Sequence, residues 1–575
     1  MLLLFLSLLV GCEAITLSPA SFIKLNDSET DDIAGNPHFA NGAATAAAFD
    51  VRSRYLYVIG TVGDVLNVID LTDPAFPRPI RKISFDDLTE GFPDSIAICN
   101  FGSRSYLAVS FEKVGTSTKA FVKIFKPLET PLDDLLIIYD RIVLDGYDPT
   151  SMAWSNDCGI LVVVQQGRTH KISNAFDDPR PYIDMIVPGL SSVSRTPVSI
   201  DGNALAAAGV RHVLRRCEDD ATKTSTAIDD LEPRRVTVDD NNVAYISFPK
   251  NNAVARLNLT LTGGQSYTLE YMNVGFKDWK PMTIDGADDG LINPQNYPIQ
   301  TFYQPADLAS FTHNGETYLV TADTGEYMSL TGAEEDCQFD ESSLGKDWIM
   351  NEQFAAGVSA ADQAALTAAM SDDSQLGRMR FSKVRNPTDG YDPTTQGFAQ
   401  VTGYGGRGIS ILRPATQTRV YDSGDVFESV FSQPDFPEEY RAVFNADVAA
   451  ASSSPSSRKD MASTTTGSTP RAVTTGMIGD TQVIVVANGN VGGIYAYIVD
   501  KSGPDPIPIF QGYSRRGNAG LSWLDSYAMD GDAVGEPETK DIQWIDLNSN
   551  SEAMIAVMSN RAGAVSFYRI SLAEP

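Results

Sequence analysis

Seven times along this 575-residue chain one pattern recurs: a short apolar run, a polar turn, a second run rich in Val, Ile, Leu and Tyr, another turn and a third run. The copies are Ala48 to Leu71, Pro93 to Lys126, Tyr147 to Ser173, Arg234 to Leu261, Gln304 to Glu326, Pro470 to Asp500 and Lys540 to Leu572. In the fifth copy the third run is displaced to Gly408 to Arg413. Short β-branched and aromatic runs bounded by turn residues are strands, and three in succession form a meander. One meander cannot bury both of its faces, so the copies must stack, and radial closure is the stacking that leaves few sheet edges exposed. The expected fold is all-β, a seven-bladed β-propeller with a partly helical insertion. A two-sheet sandwich is the competitor, but it requires no internal self-similarity.

The organisation follows from where the pattern breaks. Residues 15–575 form one domain, with Ile15 to Leu25 available as a closing outer strand beside the last blade. An insertion covers about 327–406, and its Ala-rich stretch Asn351 to Met370 predicts one or two short helices. Residues 449–468 are Ser/Thr-rich without apolar periodicity, which predicts a mobile loop open to O-glycosylation. Met1 to Ala14 has an apolar centre from Leu2 to Val10 followed by small residues, the pattern of a cleavable secretory signal. Leu9-Val10-Gly11-Cys12 also fits a lipoprotein site that would lipidate Cys12. No other apolar run approaches the length of a membrane span, and Ser566 to Pro575 lacks the tail of a GPI signal. The expected product is secreted and extracellular.

An oxidising compartment gives the remaining Cys99, Cys158, Cys217 and Cys337 three possible pairings. Cys99 with Cys158 is favoured because both lie near strand ends of consecutive repeats, which leaves Cys217 and Cys337 in acidic loops. Buried free thiols are the alternative. Asn26-Asp27-Ser28 and Asn258-Leu259-Thr260 are glycosylation sequons.

Charge narrows the chemistry. Lys and Arg number 44 against 74 Asp and Glu, and the formal net charge of −30 opposes steering toward nucleic acid or an anionic membrane surface while attracting cations. His38, His170, His212 and His313 are too few and scattered for a His-rich metal site. No phosphate-cradling G-x-x-x-x-G-K-[ST], zincin or nucleophile-elbow motif is present. Gly403 to Gly408 satisfies G-x-G-x-x-G but leads into the strand-like run ISIL rather than a helix, so a dinucleotide site fails on context. Oxygen donors are abundant, and Ca²⁺ takes six to eight of them. The best candidate ligands are Asp285, Asp288 and Asp289 in one Gly-containing loop and Asp389 and Asp392 in another. Asp and Gly are also ordinary turn formers, so each loop has a purely structural reading. The pairs Asp219-Asp220 and Asp229-Asp230 and the run Glu334-Glu335-Asp336 are read as solvated surface.

Short motifs in shared order resemble the choice-of-anchor I domain family, which includes mesenchyme-specific cell-surface glycoproteins of skeleton-forming cells. They are Asn67 to Pro74, Leu231-Glu232-Pro233, Asp285 to Pro294, Tyr303 to Asp307, Tyr318 to Glu326, Leu376-Gly377-Arg378, Gly405 to Leu412, Asp422-Ser423-Gly424, Val491 to Ile494 and Ser559 to Tyr568. The resemblance implies an extracellular propeller-like fold and, for animal members, a part in biomineral deposition. Some microbial relatives carry phosphatase labels. The chain departs from the family where Arg234 replaces an acid after Leu-Glu-Pro, where Thr469-Pro470-Arg471-Ala472 replaces an acidic stretch, and where the Asp-rich turn is thinned to Thr388-Asp389-Gly390. The resulting expectation is a secreted acidic glycoprotein without catalysis, partnered by divalent cations, a mineral surface or extracellular matrix proteins, binding Ca²⁺ and supporting biomineralisation. Its rivals are a Ca²⁺-dependent phosphatase-like hydrolase and a propeller scaffold for protein binding.

Overall fold

The computed structural model describes residues 14–573 except 26–38, 41, 62–64, 86–90, 113–118, 168–169, 173–174, 178, 190–191, 214–224, 261–266, 331–338, 449 and 530. Among the described residues seven antiparallel four-stranded sheets carry the architecture. The first runs Ala46–Asp50, Tyr55–Ile59, Val65–Asp70 and Arg78–Ser84, and the second Phe92–Phe101, Arg104–Glu112, Phe121–Lys126 and Leu136–Val143. The third holds Ser151–Trp154, Leu161–Gln165, Tyr182–Pro188 and Val193–Pro197, and the fourth Val236–Val238, Val243–Phe248, Ala253–Asn258 and Leu269–Asn273. The fifth is Pro305–His313, Glu316–Asp323, Gly408–Arg413 and Thr418–Asp422, so its third strand returns after the insertion. Pro470–Ile478, Thr481–Asn488, Ile494–Asp500 and Ile507–Ser514 make the sixth.

The seventh sheet joins the two ends of the chain. Thr539–Ile545, Glu552–Ser559 and Ala564–Leu572 are completed by Ile15–Lys24, which pairs antiparallel with the last strand from Ile15 opposite Leu572 to Lys24 opposite Ala564. Ring closure therefore depends on hydrogen bonds between the first and last strands rather than on a covalent link.

Apolar side chains between successive sheets hold the ring together. Tyr57 and Val68 pack against Leu107 and Phe111 between the first and second sheets. Val122 and Ile124 meet Leu161 and Val163 between the second and third. Val164 and Ile183 meet Ile246 and Leu257 between the third and fourth. Tyr245 and Val254 meet Leu308 and Leu319 between the fourth and fifth. Ile409 and Val320 meet Ile484 and Tyr495 between the fifth and sixth. Val485 and Ala496 meet Ile555 and Tyr568 between the sixth and seventh. The circuit ends where Met554 and Phe567 meet Leu56 and Val58. Full burial of each such side chain contributes about 1.5–3 kcal/mol. The middle strands are covered on both faces, which is why Tyr55–Ile59 and Leu161–Gln165 are buried throughout without polar alternation.

Consecutive antiparallel strands send their connections alternately to the two ends of each sheet. The five longest, residues 198–235, 274–304, 324–407, 423–469 and 515–538, all fall at the end where the innermost strands begin. That end is the loop face. The other end, the hairpin face, carries short turns such as Asn314-Gly315, both at positive φ, as a two-residue hairpin demands.

Three features differ from the sequence expectation. The third strand of the third sheet is Tyr182–Pro188, beyond Ser173, because a small hairpin of His170–Ile172 and Ala175–Asp177 intervenes. The helices of the insertion are Gly345–Asn351 and Ala360–Met370, and they pack Trp348, Leu366 and Met370 against Trp279, Ile299 and Phe381 in a core of their own. The Ser/Thr-rich stretch is packed rather than loose: Asp460 and Ser463 are fully buried and Ser468 nearly so, the Ser463 hydroxyl donates to Asp460, the Ser463 carbonyl accepts from Arg407, and the Ser468 hydroxyl donates to the Arg407 carbonyl. Its low hydrophobicity hid polar groups that are satisfied internally.

Cys99 and Cys158 form a disulfide that links the second sheet to the third. Cys12, Cys217, Cys337, Asn26 and the leader Met1 to Glu13 lie outside the described residues. Asn258 is exposed at the end of its strand.

Candidate functional site

The centre of the loop face is where residues from different sheets converge, and it is charged. Arg235, just ahead of the innermost strand of the fourth sheet, donates from Nη2 to the Lys540 carbonyl at 2.8 Å. Its guanidinium lies 3.8 Å from Asp307 and 3.9 Å from Asp541, carboxylates of the fifth and seventh sheets. Burial pulls the Arg235 pKa down, but the fields of Asp307, Asp541 and Asp94 outweigh it and the net shift is upward. These carboxylates also tie sheet to sheet: Asp307 accepts from the Val473 amide at 2.9 Å and Asp541 from the Ala47 amide at 3.0 Å. Ser151 does the same for the Val236 amide at 3.1 Å.

Beside this hub, Lys250 Nζ contacts Glu232 at 2.6 Å, Gln166 donates to the same carboxylate at 2.7 Å, and Arg234 pairs with Glu326 at 2.8 Å. The insertion is fastened next to them. Arg211, 1% exposed, donates to both oxygens of Asp389, to Glu341 at 2.9 Å and to the Lys250 carbonyl at 2.9 Å, with its guanidinium 4.4 Å above the Phe302 ring. Burial alone would lower the Arg211 pKa, yet Asp389 and Glu341 drive it well above its usual value. Ser382 Oγ donates to Asp389 at 2.6 Å and completes that carboxylate's shell.

A second buried network secures the neighbouring loops. Arg407 Nη1 pairs with Glu428 at 2.7 Å and donates to the Asp285 carbonyl at 2.8 Å, while Glu428 accepts from the Asp285 amide and from Asn445. Burial raises Asp285 to about 6, helped by Glu428 and opposed by the Asn293 amide. Burial likewise raises Asp460 and Asp323 to about 7 each, against hydrogen bonds from Ser463 and from Ser410 and Thr321 respectively.

The five carboxylates selected from sequence therefore have different settings. Asp285 and Asp389 are buried inside these networks. Asp288 is bound by Arg378 at 2.9 Å. Asp289 is exposed and accepts from the Leu291 amide at 2.9 Å. Asp392 accepts from Thr395 Oγ1 and the Thr394 amide, which hold it below the usual carboxylate range. Among the described residues no group of three or more His, Cys, Asp and Glu side chains stands ready to hold a metal ion.

Asp230, read from sequence as solvated surface, is instead 1% exposed and accepts from the Val213 amide at 2.5 Å. His313 bonds the Gly503 carbonyl and His212 contacts Asn386. Arg211 was not singled out in the sequence, where nothing marks a lone Arg as a buried hub.

Fold and site together define a β-propeller whose loop-face charges are largely matched internally. The choice-of-anchor I domain matches residues 45–502, and the chain belongs to that family. Such a domain points to a protein associated with the cell surface, and no helix among the described residues is long and apolar enough to cross a membrane. No curated protein matches the sequence, so the likeness to glycoproteins of skeleton-forming cells has no support there. Solved structures that align include a streptogramin B lyase, at 7% identity and TM-score 0.39 over 97% of this chain and 98% of that one. Sqt1 of Chaetomium thermophilum, bound to the N-terminus of ribosomal protein L10, aligns at 8% identity and TM-score 0.36 over 91% and 82%. A putative 6-phosphogluconolactonase of Bacteroides fragilis aligns at 8% and 0.36 over 89% and 88%. Those TM-scores are too low to transfer anything from these proteins to this chain.

Proposed function

We propose that this protein is a secreted, non-catalytic propeller of the cell surface or surrounding matrix that gathers Ca²⁺ loosely on its acidic exterior and so supports mineral deposition. The observation that carries this reading is the distribution of charge. Acidic residues exceed basic ones by 74 to 44, and only a minority of the carboxylates are buried. Several of the buried ones are opposed by Arg211, Arg235, Lys250 and Arg407, and most of the carboxylates, Asp289 and Asp392 included, lie outside the buried set. A dispersed negative surface concentrates divalent cations without building a cage. Glycans on Asn26 and Asn258 belong to the same secreted reading.

Calorimetric titration is expected to show several weak Ca²⁺ equivalents, in the range of about 10⁻⁴–10⁻³ M, that weaken as salt screens the surface. No uptake at millimolar Ca²⁺, or one tight salt-insensitive site, contradicts the reading.

One observation favours a hydrolase instead. Arg234, Arg235, Lys250 and Lys540 crowd the centre of the loop face, where cationic groups could clamp a phosphoryl group. Against it, Arg234, Lys250 and Lys540 each sit within 3.0 Å of Glu326, Glu232 and Glu538 respectively. Ester hydrolysis by the purified protein that requires Ca²⁺ and is lost in Arg235→Ala would decide for the hydrolase.

A further inference from the structure

The hairpin face is uneven in charge. In the third to seventh sheets the turn joining the two innermost strands carries Asp157, Asp239 with Asp240, Glu316, Asp480 or Asp546. The first and second sheets differ, with Val51-Arg52-Ser53-Arg54, preceded by the buried Asp50, and Phe101-Gly102-Ser103-Arg104, each combining an exposed apolar side chain with arginine. The outer turns of the same two sheets present Phe76 ahead of Arg78, and Leu132.

These side chains stand in water. Leu132 is 89% exposed, Phe76 76%, Val51 59% and Phe101 55%. They belong to one patch, because Arg52 Nη2 donates to the Gly102 carbonyl at 2.9 Å, the Leu71 amide to Arg54 at 2.9 Å and Arg81 Nη1 to the Pro131 carbonyl at 3.2 Å. The acids close to it each have a partner: Asp50 is buried and accepts from the Arg52 amide, Asp70 is buried against Arg78, the exposed Asp134 meets Arg81 at 3.2 Å, the exposed Glu129 meets Lys126 at 2.8 Å, and Asp133 accepts from the Thr130 amide. Arg104 has Asp157 at 3.8 Å, and Asp73 caps the Ala75 amide. Exposed arginine and phenylalanine thus coincide on one rim of a chain whose net charge is −30.

We propose that this rim docks the propeller on an anionic lipid surface. Phe76, Phe101, Leu132 and Val51 enter the boundary between headgroups and acyl chains, and Arg52, Arg54, Arg78 and Arg104 meet lipid phosphates and carboxylates. The acidic remainder of the surface is repelled by the same bilayer, which orients the molecule with this rim down. The proposal is independent of Ca²⁺ on the acidic exterior, and its test is run without the ion.

Full-length protein is floated with vesicles of phosphatidylcholine, with and without about a third phosphatidylserine, in EDTA. Binding only to the anionic vesicles is expected, fading as salt rises. Phe76→Ser with Phe101→Ser, and separately Arg52→Glu with Arg104→Glu, should each weaken it at least about tenfold while circular dichroism and Tm stay unchanged. Asp480→Ser, in the inner turn of the sixth sheet, should leave it intact. The proposal is overturned if the wild type does not float, if it binds neutral vesicles equally, or if the substitutions have no effect. It is also overturned if the patch instead mediates dimerisation, seen by sedimentation, in a protein that ignores vesicles.

Discussion

Asp389→Ala is expected to destabilise the protein by about 3–5 kcal/mol in urea unfolding, the loss seen when one partner of a buried ion pair is removed. Asp389 is fully buried and faces Arg211 with both of its oxygens. Without it the guanidinium keeps only Glu341 and the Lys250 carbonyl, in surroundings made of Phe302 and Tyr404. Water cannot readily replace the lost carboxylate there, so the uncompensated charge sets the size of the effect. Arg211 lies in the connection before the fourth sheet and Asp389 in the insertion, so protease sensitivity should rise first within residues 339–407. Ser382→Ala, which removes one donor to the same carboxylate and leaves the Val384 amide without its acceptor, should cost less, about 1.5–3 kcal/mol. A loss below about 1 kcal/mol in Asp389→Ala would show that the pair does not fasten the insertion.

Stability should fall, not rise, as pH goes from 5 to 8. Asp285, Asp323 and Asp460 have folded-state values of about 6, 7 and 7, above the ordinary carboxylate value of about 3.9. Between those limits the folded protein holds protons that the unfolded chain has released, so the stabilisation is complete below about pH 4 and is lost as pH rises through 6 and 7. Carboxylates with lowered values, such as Asp70 and Asp145, act in the opposite sense but have finished titrating below pH 5. Asp323 and Asp460 should each contribute a decline on the order of 2 kcal/mol across this window. Asp323→Asn should flatten the profile, since a neutral amide in that pocket has nothing to release. Urea midpoints that are level or increasing from pH 5 to 8 would contradict the assignment.

The fold was legible because its signal is spread over long runs. Tyr55–Ile59, Val243–Phe248 and Thr481–Asn488 are dense in β-branched and aromatic residues, and they are the doubly covered strands where hydrophobicity and structure coincide most closely. The displaced third strand at Gly408–Arg413 and the closing role of Ile15–Lys24 followed from the same repetition. The site was far less legible. Asp285 and Asp289 sit four positions apart, yet one is 2% exposed and bound into the Glu428 network while the other is open to solvent. Local composition treats them alike, because what separates them is Arg407, more than a hundred positions away in sequence. The Ser/Thr-rich segment misled for a related reason: the Ser463 hydroxyl is buried against Asp460 and the Ser468 hydroxyl against the Arg407 carbonyl, and low hydrophobicity does not distinguish satisfied polar groups from solvated ones.

An electron cryomicroscopy map of the purified protein tests the central claim most directly. Viewed along the axis it should show seven four-stranded sheets in a closed ring, with Ile15–Lys24 seated beside Ala564–Leu572 and the long connections gathered at one end. An open ring, another number of sheets, or density for Ile15–Lys24 away from the last strand would contradict it.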